Sequence, residues 1–99
     1  MISLPPWATG IGIYGSWADG TNTTESDLDL WILVAYYTPE LEINAAELEQ
    51  NLEADIHCEV NSLILTSEKL RQLKAEDQPF YSGLMKGKIT MDGDNLDLA

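Results

Sequence analysis

One apolar stretch constrains the fold more than any other part of the chain. Residues 27–35 begin with alternating polar and apolar side chains and continue as the uninterrupted run Leu30-Trp31-Ile32-Leu33-Val34-Ala35. This pattern predicts a strand covered on both faces, and therefore a sheet with helices packed against it. The 99 residues suffice for one such core. We predict a single domain over 1–99, with loose ends at 1–10 and 95–99.

Shorter patterns on either side of this strand predict the element order β–β–α–β–α–α–β. The predicted elements are strands at 11–14, 27–35, 56–65 and 89–91, a helix beginning at the Asn44 and Glu47 capping box, a helix capped by Thr66 or Ser67, and a short helix with Pro79 in its first turn that ends at Gly87. The order is typical of an α/β or α+β fold in which a small mixed sheet packs against helices.

The charge balance narrows the range of partners. Seventeen acidic residues against five Lys and Arg give a net charge of −12. Nucleic acid and anionic membranes are therefore disfavoured as partners, because both need clustered basic residues. No apolar run approaches the ~20 residues of a membrane helix. The single Cys58 fits a reducing compartment. We expect a cytoplasmic protein with a cationic partner or a divalent metal ion.

Two aspartates at the start of the long strand are the first candidate site residues. Asp27 and Asp29 are two positions apart, so a strand places both carboxylates on one face and Leu28 on the other. Two like charges at this spacing are costly unless a cation neutralises them, and Mg²⁺ prefers such carboxylates together with substrate phosphates. The alternative is a solvated strand end.

A glycine–serine pair lies after the preceding strand. Gly15 permits a tight turn and a close approach of the backbone, and the Ser16 hydroxyl can donate to a phosphate oxygen. Free backbone N–H groups at such a turn can cradle an anion. The two halves together predict a triphosphate–metal site.

These residues resemble the signature of a known superfamily. Gly15-Ser16, ten further residues and then Asp27-Leu28-Asp29 are similar to the motif of polymerase-beta-type nucleotidyltransferases. The flanking pattern YGSWADGT…SDLDLWILV is most similar to minimal nucleotidyltransferase (MNT) domains, which act as antitoxin partners of HEPN-domain proteins. The segment LILTSEKLRQLKAEDQPFYSGLMKGKITMDGD also resembles that group, more loosely.

The resemblance implies an enzyme and a set of site residues. The implied activity is Mg²⁺-dependent transfer of a nucleoside monophosphate, AMP from ATP, to a hydroxyl of a partner protein. Gly15 and Ser16 would hold the β- and γ-phosphates, and Asp27, Asp29 and a third carboxylate would be the catalytic metal ligands. Glu59 is the first candidate for that third carboxylate. Asn61 shares a strand face with Glu59, so the sequence leaves the two positions open.

Two departures from the resemblance favour an alternative function. Asp19 stands where related domains often carry a basic residue, and no Lys or Arg precedes Lys69. An Asn61 at the third position would leave the metal site one charge short. The alternative is a catalytically weak module of the same fold that neutralises its partner by contact, as part of a homo- or hetero-oligomer. A third possibility is transfer to a small cationic acceptor, which would suit the acidic charge.

Overall fold

Four strands and three helices make up the described part of the chain, residues 4–15, 27–94 and 96 of a computed structural model. The elements are β1 (Gly10–Tyr14), β2 (Leu28–Leu33), α1 (Glu40–Ile56), β3 (Val60–Leu65), α2 (Ser67–Glu76), α3 (Gln78–Gly87) and β4 (Ile89–Gly93). This order is the one that the sequence predicts.

The four strands form one mixed sheet in the order β3-β2-β1-β4. β2 and β3 are parallel, joined by the crossover helix α1, whereas β1 is antiparallel to both β2 and β4. The predicted α/β fold with a small mixed sheet is therefore confirmed.

Helices cover both faces of the central strand, as its apolar run requires. On one face, Ile32 packs in a cluster with Leu41 and Ala45 of α1. On the other face, Trp31 packs in a cluster with Leu70 of α2 and Leu84 of α3. Trp31 and Ile32 are completely buried. Burial on both faces explains why the strand carries no polar side chain after Asp29.

The boundaries of α1 differ from the prediction. The helix begins at Glu40, a full turn before the predicted start at Asn44, and it runs on through Ile56, which we assigned to the next strand. Leu41 is buried against the sheet, so tertiary packing extends the helix upstream of the capping pattern. His57 ends the helix in the left-handed conformation, with a φ of 59°.

The predicted helix signals after β3 are confirmed. Thr66 caps α2, with its Oγ1 accepting a hydrogen bond from the Lys69 N–H at 3.0 Å. Pro79 lies in the first turn of α3, and this helix ends at Gly87. These local signals are short-range and need no help from the rest of the fold.

The chain ends are more closely packed than expected. Leu4 and Trp7 pack against the α1-side core, Ala8 is buried within it, and Gly10 already belongs to β1. Leu96 is only 1% exposed in the core beneath α2 and α3. The expectation of loose ends at 1–10 and 95–99 is therefore wrong for these residues. Residues 1–3, 95 and 97–99 lie outside the described part.

Within the described ranges, none of the helices has both the length and the apolar character needed to cross a membrane.

Candidate functional site

Three neighbouring strands bring Tyr14, Asp29 and Asn61 into one row across the sheet. Tyr14 of β1 is the register partner of Asp29 of β2, and Asp29 is in turn the partner of Asn61 of β3. Asp27 joins them, since the Asn61 Nδ2 lies 3.4 Å from the Asp27 Oδ2. We call Tyr14, Gly15, Asp27, Asp29 and Asn61 the aspartate site.

Burial on the opposite face fixes the direction of the two carboxylates. Leu28 and Leu30 are 3% and 0% exposed in a cluster with Leu52 of α1. Because side chains alternate along a strand, Asp27 and Asp29 must both emerge on the other face, which α2 and α3 cover farther along the sheet. The predicted common face of the two aspartates is what the structure shows.

The turn after β1 lies directly against Asp29. Gly15 has a φ of +74°, and a Cβ added there would lie 3.0 Å from the Asp29 Oδ2. The left-handed backbone therefore favours glycine, and a Cβ would also require the Asp29 carboxylate to shift by a few tenths of an ångström. Ser16, the second predicted phosphate-binding residue, and Asp19 lie outside the described residues.

The aspartates sit in an environment that favours a cation. Partial burial raises the pKa of Asp29, the negative charge of Asp27 raises it further, and a hydrogen bond from Asn61 works in the opposite direction. The Asn61 amide has two N–H donors, so it can serve both carboxylates. Two crowded carboxylates are hard oxygen ligands, and this donor set fits Mg²⁺.

Both candidates for the third position lie near the start of β3. Asn61 is paired with Asp29 within the ladder, whereas Glu59 precedes β3 and its backbone carbonyl accepts from the Leu28 N–H at 2.8 Å. Within residues 4–15, 27–94 and 96, no three His, Cys, Asp or Glu side chains are grouped to hold a metal ion. Glu59 as a metal ligand stays a prediction, and the side chain placed beside the aspartates is Asn61.

Tyr14 is a site neighbour to which the sequence analysis gave no role. Its ring packs edge-on against Phe80 of α3, with ring centroids 6.4 Å apart and planes at 80°. Burial raises the pKa of the Tyr14 hydroxyl, and the charge of Asp29 raises it further. The residue immediately precedes Gly15-Ser16, so its position in the motif was the available signal. Tyr14 forms one wall of the aspartate site and ties it to α3.

A cavity of about 480 Å³ lies elsewhere on the molecule. It flanks the carboxyl-terminal half of β3, with Leu63, Ile64, Tyr37 and Lys69 among its lining residues. The aspartate site lies at the amino-terminal end of β2 and β3, so this cavity is separate from it.

Solved structures of similar fold are toxin–antitoxin complexes. A toxin–antitoxin structure with AMP-PNP has 22% sequence identity and a TM-score of 0.66, over 94% of this chain and 67% of that one. A mutant of the toxin–antitoxin MntA-HpeT has 22% identity and a TM-score of 0.62, over 93% and 65%. A second MntA-HpeT mutant, with two aspartates two positions apart changed to glutamate, has 20% identity and a TM-score of 0.65, over 93% and 66%. At these identities the likeness establishes the fold, and the chain spans about two thirds of the length of its neighbours.

No curated protein sequence matches the chain. A family model described as a nucleotidyltransferase domain matches residues 3–85, which include every residue of the aspartate site. The chain therefore belongs to the nucleotidyltransferase domain family.

Proposed function

We propose that this chain transfers AMP from ATP to a hydroxyl group of a partner protein, as the antitoxin of a HEPN-domain toxin. The observation that carries the proposal is the contact between the Gly15 turn and Asp29, with Asp27 on the same face. A backbone turn suited to phosphate and two carboxylates suited to Mg²⁺ lie side by side, which is what a metal-bound triphosphate needs.

In this proposal Gly15 and Ser16 hold the β- and γ-phosphates, and Asp27 and Asp29 hold Mg²⁺. The bound metal would supply charge neutralisation at the phosphate oxygens and would favour ionisation of the attacking hydroxyl. The acceptor oxygen attacks the α-phosphorus, the bond to the β-phosphate oxygen breaks, pyrophosphate leaves, and the hydroxyl proton passes to water. Tyr14, braced by Phe80, keeps the flank of Asp29 packed, so that its carboxylate faces the Gly15 turn.

The negative net charge of the chain makes the proposed binding strongly metal-dependent. Five Lys and Arg stand against seventeen acidic residues. With a net charge of −12, the protein repels a free triphosphate. We therefore expect ATP to bind as its magnesium complex and not as the free anion.

The similarity in fold to toxin–antitoxin complexes supports a toxin partner. The structural neighbours described above are toxin–antitoxin complexes, one of them with AMP-PNP. The acidic surface of this chain complements a basic partner, and charge complementarity accelerates association of such pairs. The proposal therefore includes a hetero-oligomer with a HEPN-domain protein.

Neutralisation of the partner by contact alone is the second candidate. The observation that favours it is Asn61, a neutral side chain where the resemblance implies a third carboxylate. In that case the nucleotidyltransferase fold would serve as a binding surface, and loss of both aspartates would leave neutralisation intact.

Transfer of label from ATP separates the two candidates. The chain is incubated with Mg²⁺, ATP labelled at the α-phosphate and a candidate HEPN-domain partner, and label on the partner polypeptide is measured. Transfer by the wild type and its loss in Asp27→Asn/Asp29→Asn is the expected result. Glu47→Gln/Asp55→Asn, which removes the same two charges from exposed positions of α1, serves as the matched control and should transfer normally. Unlabelled but neutralised partner, with the double aspartate variant still protective, would establish neutralisation by contact.

A further inference from the structure

We propose, on the basis of the nucleotidyl transfer above, that Asn61 limits the aspartate site to at most one divalent cation per chain in the absence of nucleotide. The same side chain would hold the two carboxylates together while no cation is bound. Asn61 is a positioning residue in this proposal.

The register of the parallel strands places position 61 beside both aspartates, where a charged side chain would act directly on them. Asp29 and Asn61 are direct register partners on one face, and neighbouring strands in a sheet lie only about 4.8 Å apart. The Asn61 Nδ2 lies 3.4 Å from the Asp27 Oδ2, so the amide lies between β3 and both aspartates. A side chain at position 61 therefore touches the same space as Asp27 and Asp29.

The contact that Asn61 makes links it to both carboxylates. Its Nδ2 donates to the Asp27 Oδ2 at 3.4 Å, and Asp29 is its direct register partner. A neutral donor can stabilise two carboxylates in this way, whereas a third carboxylate would add to their repulsion. Asn61 thus stabilises the two carboxylates of the metal-free site without adding a negative charge.

The charge count sets the limit on metal binding. Asp27 and Asp29 supply two negative charges, which balance one divalent cation, and Asn61 supplies none. A second divalent cation beside the first would meet like charge without compensation. Nucleotidyl transfer assisted by two metal ions would then depend on the phosphates of the nucleotide, or on the partner, for the remaining negative charge.

Glu59 is the competing source of a third negative charge. It precedes β3 and forms no metal-holding group with the two aspartates among the described residues. Asn61, in contrast, belongs to the ladder itself. The proposal therefore predicts different consequences for substitutions at 59 and 61.

Titration with Mn²⁺ alone, followed by electron paramagnetic resonance of the free ion, tests the limit without any enzymatic readout. Wild type should bind no more than one Mn²⁺ per chain. Asn61→Asp should bind Mn²⁺ about tenfold more tightly or better, because a third carboxylate joins the site. Asn51→Asp makes the same chemical change at an exposed position of α1 and should leave the affinity unchanged. Glu59→Gln should also leave it unchanged.

Thermal unfolding of the same proteins gives an independent readout. Without metal, Asn61→Asp should unfold about 5 °C below the wild type, because three carboxylates then repel one another. Saturating Mn²⁺ should reverse the order, since the variant binds the ion more tightly. Asn51→Asp should show neither effect.

Several results would overturn the proposal. Two Mn²⁺ per wild-type chain, an Asn61→Asp affinity equal to that of the wild type, or a loss of binding in Glu59→Gln as large as in Asp29→Asn would each do so. Failure of the proposed function looks different. One Mn²⁺ on the wild type without label transfer contradicts only the transfer. Mn²⁺ on Asn61→Asp alone supports the limit and does not contradict the transfer, in which the metal arrives with ATP. Absence of Mn²⁺ from both proteins overturns the proposed role of Asn61, whereas the labelling assay with ATP decides the transfer.

Discussion

Two successive rows of side chains on one face of the sheet have opposite chemistry. The first row is Tyr14, Asp29 and Asn61, and the next row along the same three strands is Gly12, Trp31 and Leu63. Asn61 is exposed and Asp29 is only partly buried, whereas Trp31 is completely buried.

The candidate site and the hydrophobic core are therefore only two residues apart along each strand. Both rows follow the same strand register, so the backbone of the sheet positions their side chains in the same way. The side chains differ: Trp31 of the inner row is buried in the core, and Asp29 of the outer row is a partly buried carboxylate. This comparison predicts that substitutions in the two rows affect different properties.

The largest expected effect is loss of stability in Trp31→Ala. The ring is completely buried between β2 and the α2–α3 side of the core, so its removal should lower the free energy of unfolding by about 3–5 kcal/mol. Urea unfolding followed by circular dichroism measures this. Trp31→Phe is the matched control with a smaller loss, because it keeps an aromatic ring and removes an indole N–H that has no hydrogen-bond partner among the described residues. A loss below about 1 kcal/mol in Trp31→Ala would show that the inner row does not carry the core.

Gly12→Ala should come next in size. A Cβ at this position would overlap the Trp31 ring and the Ile89 carbonyl oxygen, so the strands would have to separate. Overpacking of this kind costs about 1–3 kcal/mol. Gly83→Ala on α3 is the contrasting variant. Apart from its own helix backbone and chain neighbours, no atom of the described residues lies within 4 Å of the added Cβ, so the change should stabilise the helix by up to about 1 kcal/mol. Equal effects of the two variants in urea unfolding would contradict the close packing of Trp31 on Gly12.

Gly15→Ala should separate stability from binding. The positive φ should cost about 1–2 kcal/mol, and the new Cβ would press on the Asp29 carboxylate. We expect a modest loss of stability together with loss of ATP binding in the presence of Mg²⁺, both measurable on one preparation by urea unfolding and calorimetry. Unchanged ATP affinity in a folded variant would remove the Gly15 turn from the proposed phosphate site.

Asp29→Asn should have the smallest effect on stability, and it should change the pH dependence. The pKa of Asp29 is raised in the folded protein, mainly by burial and then by Asp27. The folded state therefore binds this proton more tightly than the unfolded state, and stability falls as the pH rises through the window between the usual and the raised pKa. Asp29→Asn removes that loss, so it should be at least as stable as the wild type at neutral pH. Thermal unfolding between pH 3 and 7 tests this (a range chosen to span ordinary carboxyl pKa values), and a clear destabilisation at neutral pH would show that Asp29 serves the fold.

The parts of the fold that the sequence predicted depend on local patterns. The apolar run from Leu30 to Ala35 implied cover on both faces, and the spacing of Asp27 and Asp29 implied a common face, because strand alternation is a local rule. The Thr66 cap is also local, and its hydrogen bond to Lys69 is present. These predictions did not depend on the tertiary contacts between elements.

The parts that the sequence did not predict depend on contacts between distant residues. The early start of α1 follows from burial of Leu41 against the sheet, and the packing of Leu96 follows from the core beneath α2 and α3. The choice between Glu59 and Asn61 depends on the register of β3 against β2 across the whole of α1. A two-residue shift of that register would pair Glu59 with Asp29 in place of Asn61 on the same face, and the strand sequence alone does not exclude such a shift.

Calorimetric titration with ATP, in the presence and absence of Mg²⁺, tests the central claim most directly. The wild type is compared with Asp27→Asn/Asp29→Asn, and the unfolding of both proteins is measured on the same samples. We predict that the wild type binds ATP only with Mg²⁺, and that the double variant loses this binding while remaining at least as stable. Binding that survives in the folded double variant, or a wild type that binds no ATP with Mg²⁺, would contradict the assignment of the aspartate site as a nucleotide site.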